Sequence, residues 1–531
     1  MNFSILDIIV FLFYCLLIIS IAIWVSRRKK GEVQTTRDYF LAGNSLPWWA
    51  IGTSLIAANI SAEQLIGMTG DGFTMGLAIA SYEWMAALTL VVVGKYFLPI
   101  FLDKKIYSMP NFLEIRYGTE VRTILSILWL MLYVFVNLTS ILYLGGVCIE
   151  QVFGVRLEIA IISIAVFSII YTLSGGLKAI AYTDFIQVSF LVVGGLITTG
   201  LALNALSDGE GIWKGVSILL NENKEKFNMI FTPEEKYFSS LPGFWGVFVF
   251  LWIINLNYWG FNQYITQRAL AAKNLNEAQK GVILAGFIKL LMPLIVVVPG
   301  IIAYALKAPI NENTKDAVYP WLLNEFLTPG VKGIVFAALV AAIVGSLSSK
   351  TNSIATIFTM DIFKPFFGKQ MSESQLVRVG RISILISLTI AVALAPYVRL
   401  FEGGFQFIQI FTGFFSPGIF VIFLFGLFWK KASKRGALWV AALTLPLSVL
   451  MYFFFGQTSY AIINLPFLFR IGISFILLAL TMIYFGFRDN PTQSDPKAIS
   501  YKVDMFKTST RFNLGALIIF TIIVVIYAYF W

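Results

Sequence analysis

The sequence contains no histidine and only two cysteines among its 531 residues. The absence of histidine excludes His-based proton relays and most zinc sites. Cys15 and Cys148 lie far apart in two apolar segments, so no disulfide framework is indicated. Charged residues make up only 13% of the chain, whereas a soluble protein of this length needs far more charge on its surface.

Apolar residues dominate instead, at 58% of the chain, with a mean hydropathy of +0.81. Residues 5–25 contain one acid, Asp7, and no base, and residues 513–531 contain no charge. Each run is about long enough to cross a bilayer. The first run has no basic segment before it and no small-residue cleavage site, so we interpret it as a retained helix rather than a signal peptide. The composition therefore predicts an all-α, polytopic protein of the lipid bilayer.

The net charge of +11 comes from basic residues that follow a regular pattern along the chain. Basic residues cluster in every second loop, for example at residues 27–30, 268–280 and 430–435. This alternation is the positive-inside pattern, and it predicts both termini outside the cytoplasm. It gives no reason to expect a nucleic-acid partner.

The apolar runs predict about 14 transmembrane helices under the length rule. The predicted spans are residues 5–25, 46–68, 75–100, 121–150, 157–174, 183–206, 242–266, 281–306, 331–362, 378–398, 404–428, 437–455, 464–487 and 513–531.

Two of these spans carry unusually many polar side chains. The first includes "SLIAANISAEQLIG" (residues 54–67), and the second is "LWIINLNYWGFNQYITQR" (residues 251–268). About five spans separate their centres, so the two would run in opposite directions, each opening a block of five helices. Polar, interrupted helices of opposite orientation are typical of inverted-repeat transporters, in which they meet at the bilayer midplane. The alternative is that the polar groups only hold neighbouring helices together.

Several longer motifs are more specific than this pattern. They are "DYFLAGNSLPWWAIGTSLIAANISAEQLIGMTGDG", "ASYEWM", "YTLSGGLKAIAYTDFIQ", "NYWGFNQYITQRALAAK", "NSIATIFTMDIF" and "GLFWKKASKRGA". From about Asp38 to the last helix the chain resembles the sodium/solute symporter family, and within it the bacterial sodium/galactose branch. The resemblance implies 14 helices, sodium-coupled uptake by alternating access, and a transporter rather than an enzyme.

The same resemblance implies one transmembrane domain over residues 1–531. Residues 5–30 would be an extra N-terminal helix, residues 46–206 the first five-helix repeat, residues 242–428 the second, inverted repeat, and residues 437–531 additional helices. The protein would lie in the cell membrane, with no obligate protein partner evident.

The resemblance also implies a sugar site with inner and outer gates. The residues expected to bind the sugar are Gln64, Glu83, Asn255, Tyr258, Lys289 and Gln409. Those expected at the gates are Met68, Tyr82 and Phe405 on the outer side, and Trp259 in support of Tyr258, which would be the inner gate. Amides, a carboxylate, an ammonium and an aromatic face suit a ring of hydroxyls with apolar C–H faces.

One difference between this sequence and the galactose branch concerns the choice of sugar. Where the galactose branch carries a serine one turn after the glutamate, this sequence has Ala86. The missing hydroxyl leaves glucose, galactose, another hexose or a cyclic polyol such as myo-inositol open as substrates.

The implied sodium site combines carbonyls of the first broken helix with a hydroxyl on the eighth core helix. Its ligands would be the carbonyls of Ala57, Ile60 and Ala342 and the hydroxyl of Ser346. The family usually has a second hydroxyl beside Ser346, and here that residue is Gly345.

Lys350 falls on the same helix face as Ala342 and Ser346, at a spacing of four residues. Asp184 resembles an acid on the family's sodium exit path. We expect Lys350 to pair with Asp184 and to tune sodium release. Two alternatives stay open at this stage: the ammonium reaches to the membrane interface, or it partly replaces the cation.

Other functions fit the sequence less well. An amino-acid or carboxylate symporter would favour a bare arginine or helix N-terminus at the site, and Glu83 argues against it. A non-transporting sugar sensor would carry a signalling domain, which the chain lacks. A membrane enzyme would need a cluster of catalytic groups, and we identify none.

Overall fold

A computed structural model describes residues 4–26, 35–61, 63–106, 108–400, 404–456, 461–490 and 492–531. Within these ranges every named element is helical, and the single isolated bridge joins Leu46 to Ala272. The fold class predicted from the sequence is confirmed.

The α-helices of the first half of the chain are α1 (Ile5–Ser26), α2 (Thr36–Leu41), α3 (Trp48–Asn59), α4 (Thr69–Met75), α5 (Ser81–Val92), α6 (Leu98–Asp103), α7 (Met109–Tyr117), α8 (Thr119–Met131), α9 (Thr139–Phe153), α10 (Leu157–Leu206), α11 (Ile212–Glu222), α12 (Gly243–Trp245) and α13 (Leu251–Phe261). Those of the second half are α14 (Gln263–Leu270), α15 (Leu275–Leu291), α16 (Pro293–Val296), α17 (Val298–Ala305), α18 (Val318–Phe326), α19 (Val331–Thr356), α20 (Lys364–Phe366), α21 (Glu373–Leu394), α22 (Gly404–Phe428), α23 (Lys434–Phe455), α24 (Phe467–Asp489) and α25 (Thr510–Tyr529).

In the described part of the chain, five π-helical segments interrupt or extend these helices, and such segments are frequent at functional sites. They span Glu63–Met68, Val93–Phe97, Leu132–Leu138, Gly246–Phe250 and Ile357–Phe363.

Twelve helical segments within the described ranges are long and apolar enough to cross a membrane. The two remaining predicted spans correspond to shorter helical pieces, the 12-residue α3 and the apolar part of α10 over Leu157–Ile170. The count of 14 is therefore not confirmed and stays a prediction, although each predicted span coincides with helix.

Helix α10 is one helical run of 50 residues, where the sequence predicts two spans. Its neighbours on α19 explain the difference. Ile164 and Ile343 both lie against Gly145; further along the chain, Thr172 contacts Ser348, Gln187 lies against Gly345 and Gly194 against Val335. The residue number of the α19 neighbour first rises, from 343 to 348, and then falls, to 335. The chain therefore reverses its direction between Thr172 and Gln187 and passes α19 twice.

The two polar segments are broken and lie side by side, as the sequence predicts. Helix α3 ends at Asn59, and Ile60 is extended (φ −73°, ψ 122°). Helix α13 ends at Phe261, and Asn262 is extended in nearly the same way (φ −80°, ψ 123°).

Three links between the broken segments fix their relative direction. The backbone N–H of Leu46 donates to Ala271, Arg268 donates to Ser54, and the Asn59 amide donates to Tyr258. As the residue number in the first segment rises from 46 to 59, that of its partner in the second segment falls from 271 to 258, so the two segments run antiparallel.

The centre and the rim of the helix bundle differ in burial. Helix α19 lies at the centre: 83% of the residues in its most apolar stretch are buried, against 22% of those in the corresponding stretch of α1. A side chain of α1 still reaches inward: the Asp7 carboxylate accepts from the backbone N–H groups of Gly330 and Gly333, at 2.7 and 2.8 Å. An acid at a helix N-terminus is stabilising, so the one acid in this apolar run anchors α1 to the start of α19.

Candidate functional site

A cavity lies where the two broken segments meet. It is enclosed by side chains from both segments and from α5, α15 and α19, with about 890 Å³ of empty space, the open mouth included. Its wall contains the predicted residues Gln64, Met68, Tyr82, Glu83, Asn255, Tyr258, Trp259 and Lys289. The wall also contains residues that carry no predicted role, among them Asn59, Asn137, Asn262, Tyr264 and Thr412.

A buried ion pair is the strongest electrostatic feature of the cavity. Lys289 Nζ donates to Glu83 Oε2 at 2.6 Å, and the two side chains are 1% and 4% exposed. The ammonium also lies 5.3 Å from the centre of the Trp259 ring. Two opposite charges can stay buried here because each neutralises the other and because further hydrogen bonds satisfy them.

Asn59 is the hub of the polar network, although the sequence analysis gave it no role. Its side-chain oxygen accepts from Lys289 Nζ and, at 3.2 Å, from the amide of Gln64. Its amide donates to the Tyr258 hydroxyl at 3.0 Å, which links the two broken segments across the cavity. Its place as the last helical residue before the break, in a polar stretch, was the signal that could have identified it.

Gln64 and Glu83 leave hydrogen-bonding capacity in the cavity wall. The Gln64 amide donates to Glu83 Oε1 at 3.2 Å, while Gln64 Oε1 is buried and accepts no hydrogen bond from the described residues. Because a buried acceptor without a donor is unfavourable, this oxygen is suited to accept a hydroxyl from a bound molecule.

Tyr258 belongs to an aromatic group on one side of the cavity. Its ring lies 5.3 Å from Trp259 and 5.7 Å from Tyr264, both close to perpendicular, which is a favourable edge-to-face arrangement. The Asn255 amide donates to the Leu251 carbonyl at 3.3 Å, within its own helix. Two predicted residues are not placed: the side chains of Phe405 and Gln409 lie outside the described part of the structure, although α22 contributes Ile408 and Thr412 to the wall.

Two parts of the predicted sodium site, the α19 segment that contains Ser346 and the end of α3, lie next to each other. The hydroxyl of Ser346 lies 3.5 Å from the carbonyl of Ala58. A Cβ atom on Gly345 would lie 3.7 Å from the Ala57 carbonyl oxygen and 2.5 Å from Gln187 Oε1. The amide oxygen of Gln187 therefore fills the space that the family's second side chain would take.

This oxygen bears on whether the site fits a cation. Gln187 is 2% exposed, and its Oε1 accepts no hydrogen bond from the described residues. Hard cations are held by carbonyl, hydroxyl and amide oxygens, and an orphaned buried oxygen beside two such groups fits that chemistry.

Lys350 joins the predicted sodium site to the cavity. It is 2% exposed, and its Nζ donates to Ser346 Oγ at 2.6 Å. The ammonium also lies 4.7 Å from the centre of the Tyr264 ring and contributes to the cavity wall. It does not reach to the membrane interface, because the whole side chain is enclosed.

The predicted ion pair between Lys350 and Asp184 does not form among the described residues. Asp184 instead accepts from the Ser54 hydroxyl at 2.5 Å and lies 4.0 Å from the guanidinium of Arg268. The sequence analysis assigned Arg268 to a cytoplasmic basic loop, yet the side chain is fully buried and also donates to Ser349. Helical spacing placed Lys350 on the correct face but could not identify which cation reaches the acid.

Comparison with known proteins now identifies the family. The profile of the sodium:solute symporter family matches residues 39–443. The chain belongs to the sodium:solute symporter family.

The chain is similar to two relatives in sequence and to one solved structure in fold. The sodium/glucose cotransporter of Vibrio parahaemolyticus is 45% identical and covers 99% of this chain and 98% of the relative. Sodium/myo-inositol cotransporter 2 of Homo sapiens is 32% identical over 82% of this chain and 67% of the relative. The structure of a Na⁺-coupled sialic acid symporter in a substrate-bound, outward-open state superposes with a TM-score of 0.79 at 20% identity, covering 91% of this chain and 98% of that one. At that identity the superposition shows the fold alone. As a symporter the chain is a transporter and not an enzyme, and it spans the membrane several times.

Proposed function

We propose that this symporter couples the inward movement of sodium to the import of a neutral monosaccharide by alternating access. The observation that carries the proposal is the linked set of Asn59, Gln64, Glu83 and Lys289 in a cavity between two broken helices, with Tyr258 on one side. The names of the relatives, a sodium/glucose and a sodium/myo-inositol cotransporter, point to the same substrate class.

The polar set is matched to a ring of hydroxyls. Glu83 accepts, Lys289 donates, and Asn59 and Gln64 do both, so a polyol can exchange hydrogen bonds with each of them. Each such bond contributes about 0.5–1.5 kcal/mol net, so several are needed to hold an uncharged sugar. The ring of Tyr258 offers an apolar face for the C–H groups of the sugar. Asn255 and the unplaced Gln409 would complete the contacts.

Tyr258 would also act as the inner gate. Its hydroxyl accepts from Asn59, so the two broken segments are tied together directly beside the cavity. Release of the sugar to the inner side would require that tie to break and the ring to move away from Trp259. Met68, Tyr82 and Phe405 would close the outer side.

Sodium is transported with the sugar and would bind at the end of α3. The carbonyls of Ala57, Ile60 and Ala342 and the hydroxyl of Ser346 would hold it. Sodium can drive transport only if it binds the outward-facing state more tightly than the inward-facing state. One sodium ion that crosses 100 mV down a tenfold gradient supplies about 3.7 kcal/mol, which sustains roughly a 500-fold sugar gradient at 1:1 coupling.

Ala86 in the cavity wall bears on the choice of sugar. A methyl group cannot form a hydrogen bond with a substrate hydroxyl, so this position does not favour the hydroxyl configuration of one particular sugar. We place glucose first because a sodium/glucose cotransporter is among the relatives, with galactose and myo-inositol as the other members of the test panel. The protein would lie in the cell membrane with both termini outside the cytoplasm, as the distribution of basic loops predicts.

The decisive experiment measures uptake by the purified protein in liposomes. Labelled glucose, galactose, myo-inositol and one amino acid are offered with an inward sodium gradient, and again with sodium replaced by choline. We expect one sugar of the panel to accumulate above its equilibrium level with sodium only.

Two variants test the site in the same assay. Glu83→Gln should abolish accumulation, because the carboxylate would both bind the sugar and neutralise Lys289. Glu120→Gln is the matched control, since that carboxylate is 57% exposed, pairs with Lys434 at the surface and should leave uptake unchanged. Accumulation of the amino acid alone, or of no sugar, would reject the proposed substrate class, and sugar binding without uptake would favour a sensor.

A further inference from the structure

Lys350 places a positive charge at the site predicted for the transported cation. Its Nζ lies 2.6 Å from Ser346 Oγ, and the lysine and serine are one helical turn apart on the same face of α19. Both residues are enclosed, at 2% and 0% exposure, so the contact is not a surface interaction that water would weaken.

The hydroxyl of Ser346 cannot serve both cations freely. The oxygen has two lone pairs, and the lysine ammonium already uses one of them. A sodium ion on the other lone pair would lie within a few ångströms of the ammonium, and two like charges at that distance repel strongly away from bulk water. The Tyr264 ring 4.7 Å away helps to keep the ammonium there, because an aromatic face attracts a cation.

A neutral side chain at position 350 would create no such conflict. The other polar groups near this site are the carbonyl oxygens of Ala57 and Ala58 and the amide oxygen of Gln187. These oxygens are neutral acceptors and do not repel a sodium ion. The ammonium is thus the one group described here at the Ser346 hydroxyl that a sodium ion would have to tolerate or displace.

The geometry points to Lys350 as a tethered competitor of sodium that sets how much sodium this symporter requires. When the ammonium is bound to Ser346, the sodium site is weakened, and sodium binding has to push the lysine side chain aside. Lys350 is therefore a specificity-determining residue for the cation. This inference rests on the proposed function, since it takes Ser346 as a sodium ligand of a sodium-driven transporter.

The first test measures sodium binding without any sugar. The full-length protein in detergent is melted at increasing sodium concentration, with choline holding the ionic strength constant, and the sodium concentration that gives half of the stabilisation is recorded. We expect this concentration to fall about tenfold or more in Lys350→Met, which keeps the length of the side chain and removes its charge. Lys350→Arg, which keeps the charge, should stay within about threefold of the wild type.

Further variants locate the effect and guard against misfolding. Ser346→Ala should remove most of the sodium response, in the wild-type background and in the Lys350→Met background alike. Lys350→Gln provides a second neutral side chain if Lys350→Met does not yield folded protein. The same half-maximal concentrations are then measured for sugar uptake in liposomes, where Lys350→Met should show the same decrease.

The outcomes separate this inference from the proposed function. An unchanged half-maximal sodium concentration in both neutral variants, or an increased one, would overturn the role of Lys350 even if wild-type protein accumulates sugar with sodium. A tenfold decrease in the melting experiment, with no sugar accumulated by any variant, would support Lys350 as a sodium competitor and reject the proposed sugar transport.

Discussion

Replacement of Lys289 by methionine is the most informative single change at the cavity. It removes the ammonium that lies 2.6 Å from Glu83 Oε2 and leaves the carboxylate, only 4% exposed, without its counter-charge. At that distance the Coulomb attraction is about 6 kcal/mol for an effective dielectric constant of 20. Part of this attraction is offset by the desolvation of both ions, and the loss of one partner from a buried pair costs about 3–5 kcal/mol.

We therefore expect Lys289→Met to lower the free energy of unfolding by about 3–5 kcal/mol. Thermal melting in detergent, followed through the protein's 13 tryptophans, measures the change. Lys280→Met is the matched control on the same helix, because Lys280 is 36% exposed and its pair with Glu277, at 3.4 Å, should contribute less than about 1 kcal/mol.

A double variant separates stability from binding. Adding Glu83→Gln to Lys289→Met removes the stranded charge, so most of the lost stability should return. Sugar binding should stay absent in the double variant, because neither the carboxylate nor the ammonium is restored. If Lys289→Met melts like Lys280→Met, or if the double variant is no more stable than Lys289→Met, the buried ion pair does not have the role assigned to it.

Three further predictions concern other parts of the molecule. Tyr258→Phe keeps the ring but removes the hydrogen bond from Asn59 that holds the ring beside the cavity, so sugar affinity should fall by about 2–10-fold, equivalent to about 0.5–1.5 kcal/mol, in a binding titration; an unchanged affinity would contradict a role for this bond in positioning the ring. Gly345→Ser should change the free energy of unfolding by less than about 1 kcal/mol in melting experiments, because its Cβ would meet only the far end of the flexible Gln187 side chain, 2.5 Å away, and the new hydroxyl can donate to the buried Gln187 Oε1; a larger loss would show that Gln187 cannot move aside. Hydrogen bonding to the Lys236 ammonium holds the pKa of Glu312 below its ordinary value, so the stabilisation from this pair is present near neutral pH and is lost as the pH falls through that lowered pKa. Since both side chains are more than half exposed, Glu312→Gln should change the free energy of unfolding by less than about 1 kcal/mol at pH 7, and a larger difference would show that the pair is more than a surface contact.

The broken, antiparallel segments could be predicted from the sequence because polar side chains inside apolar spans are costly unless they face a cavity. Eight of the ten residues assigned to the sugar site and its gates lie in one cavity wall, and the resemblance to a known family, rather than periodicity, supplied them. The roles of all ten stay predictions, and the side chains of Phe405 and Gln409 lie outside the described part of the structure. Helix periodicity correctly placed Lys350 beside Ser346.

Partners across the bundle were harder to predict. Arg268 was grouped with loop residues because a count of basic residues along the chain contains no information on depth, and the structure buries it beside Asp184. Asn59 lies in a stretch that the sequence marks as polar, but it could not be identified as the hub, since its partners Tyr258 and Lys289 come from other elements. The space that Gly345 leaves for Gln187 depends on how α10 folds back, which no local pattern encodes.

The hub also has a consequence for biosynthesis. Asn59 bonds to Tyr258 and Lys289, which follow it by 199 and 230 residues. During synthesis the first broken helix and α5 must therefore enter the bilayer long before these two partners have been translated, so Asn59 still lacks both of them and Glu83 lacks Lys289. A chain truncated before Lys289 would carry an unneutralised Glu83 in lipid, and cellular quality control would have a clear chemical reason to degrade it.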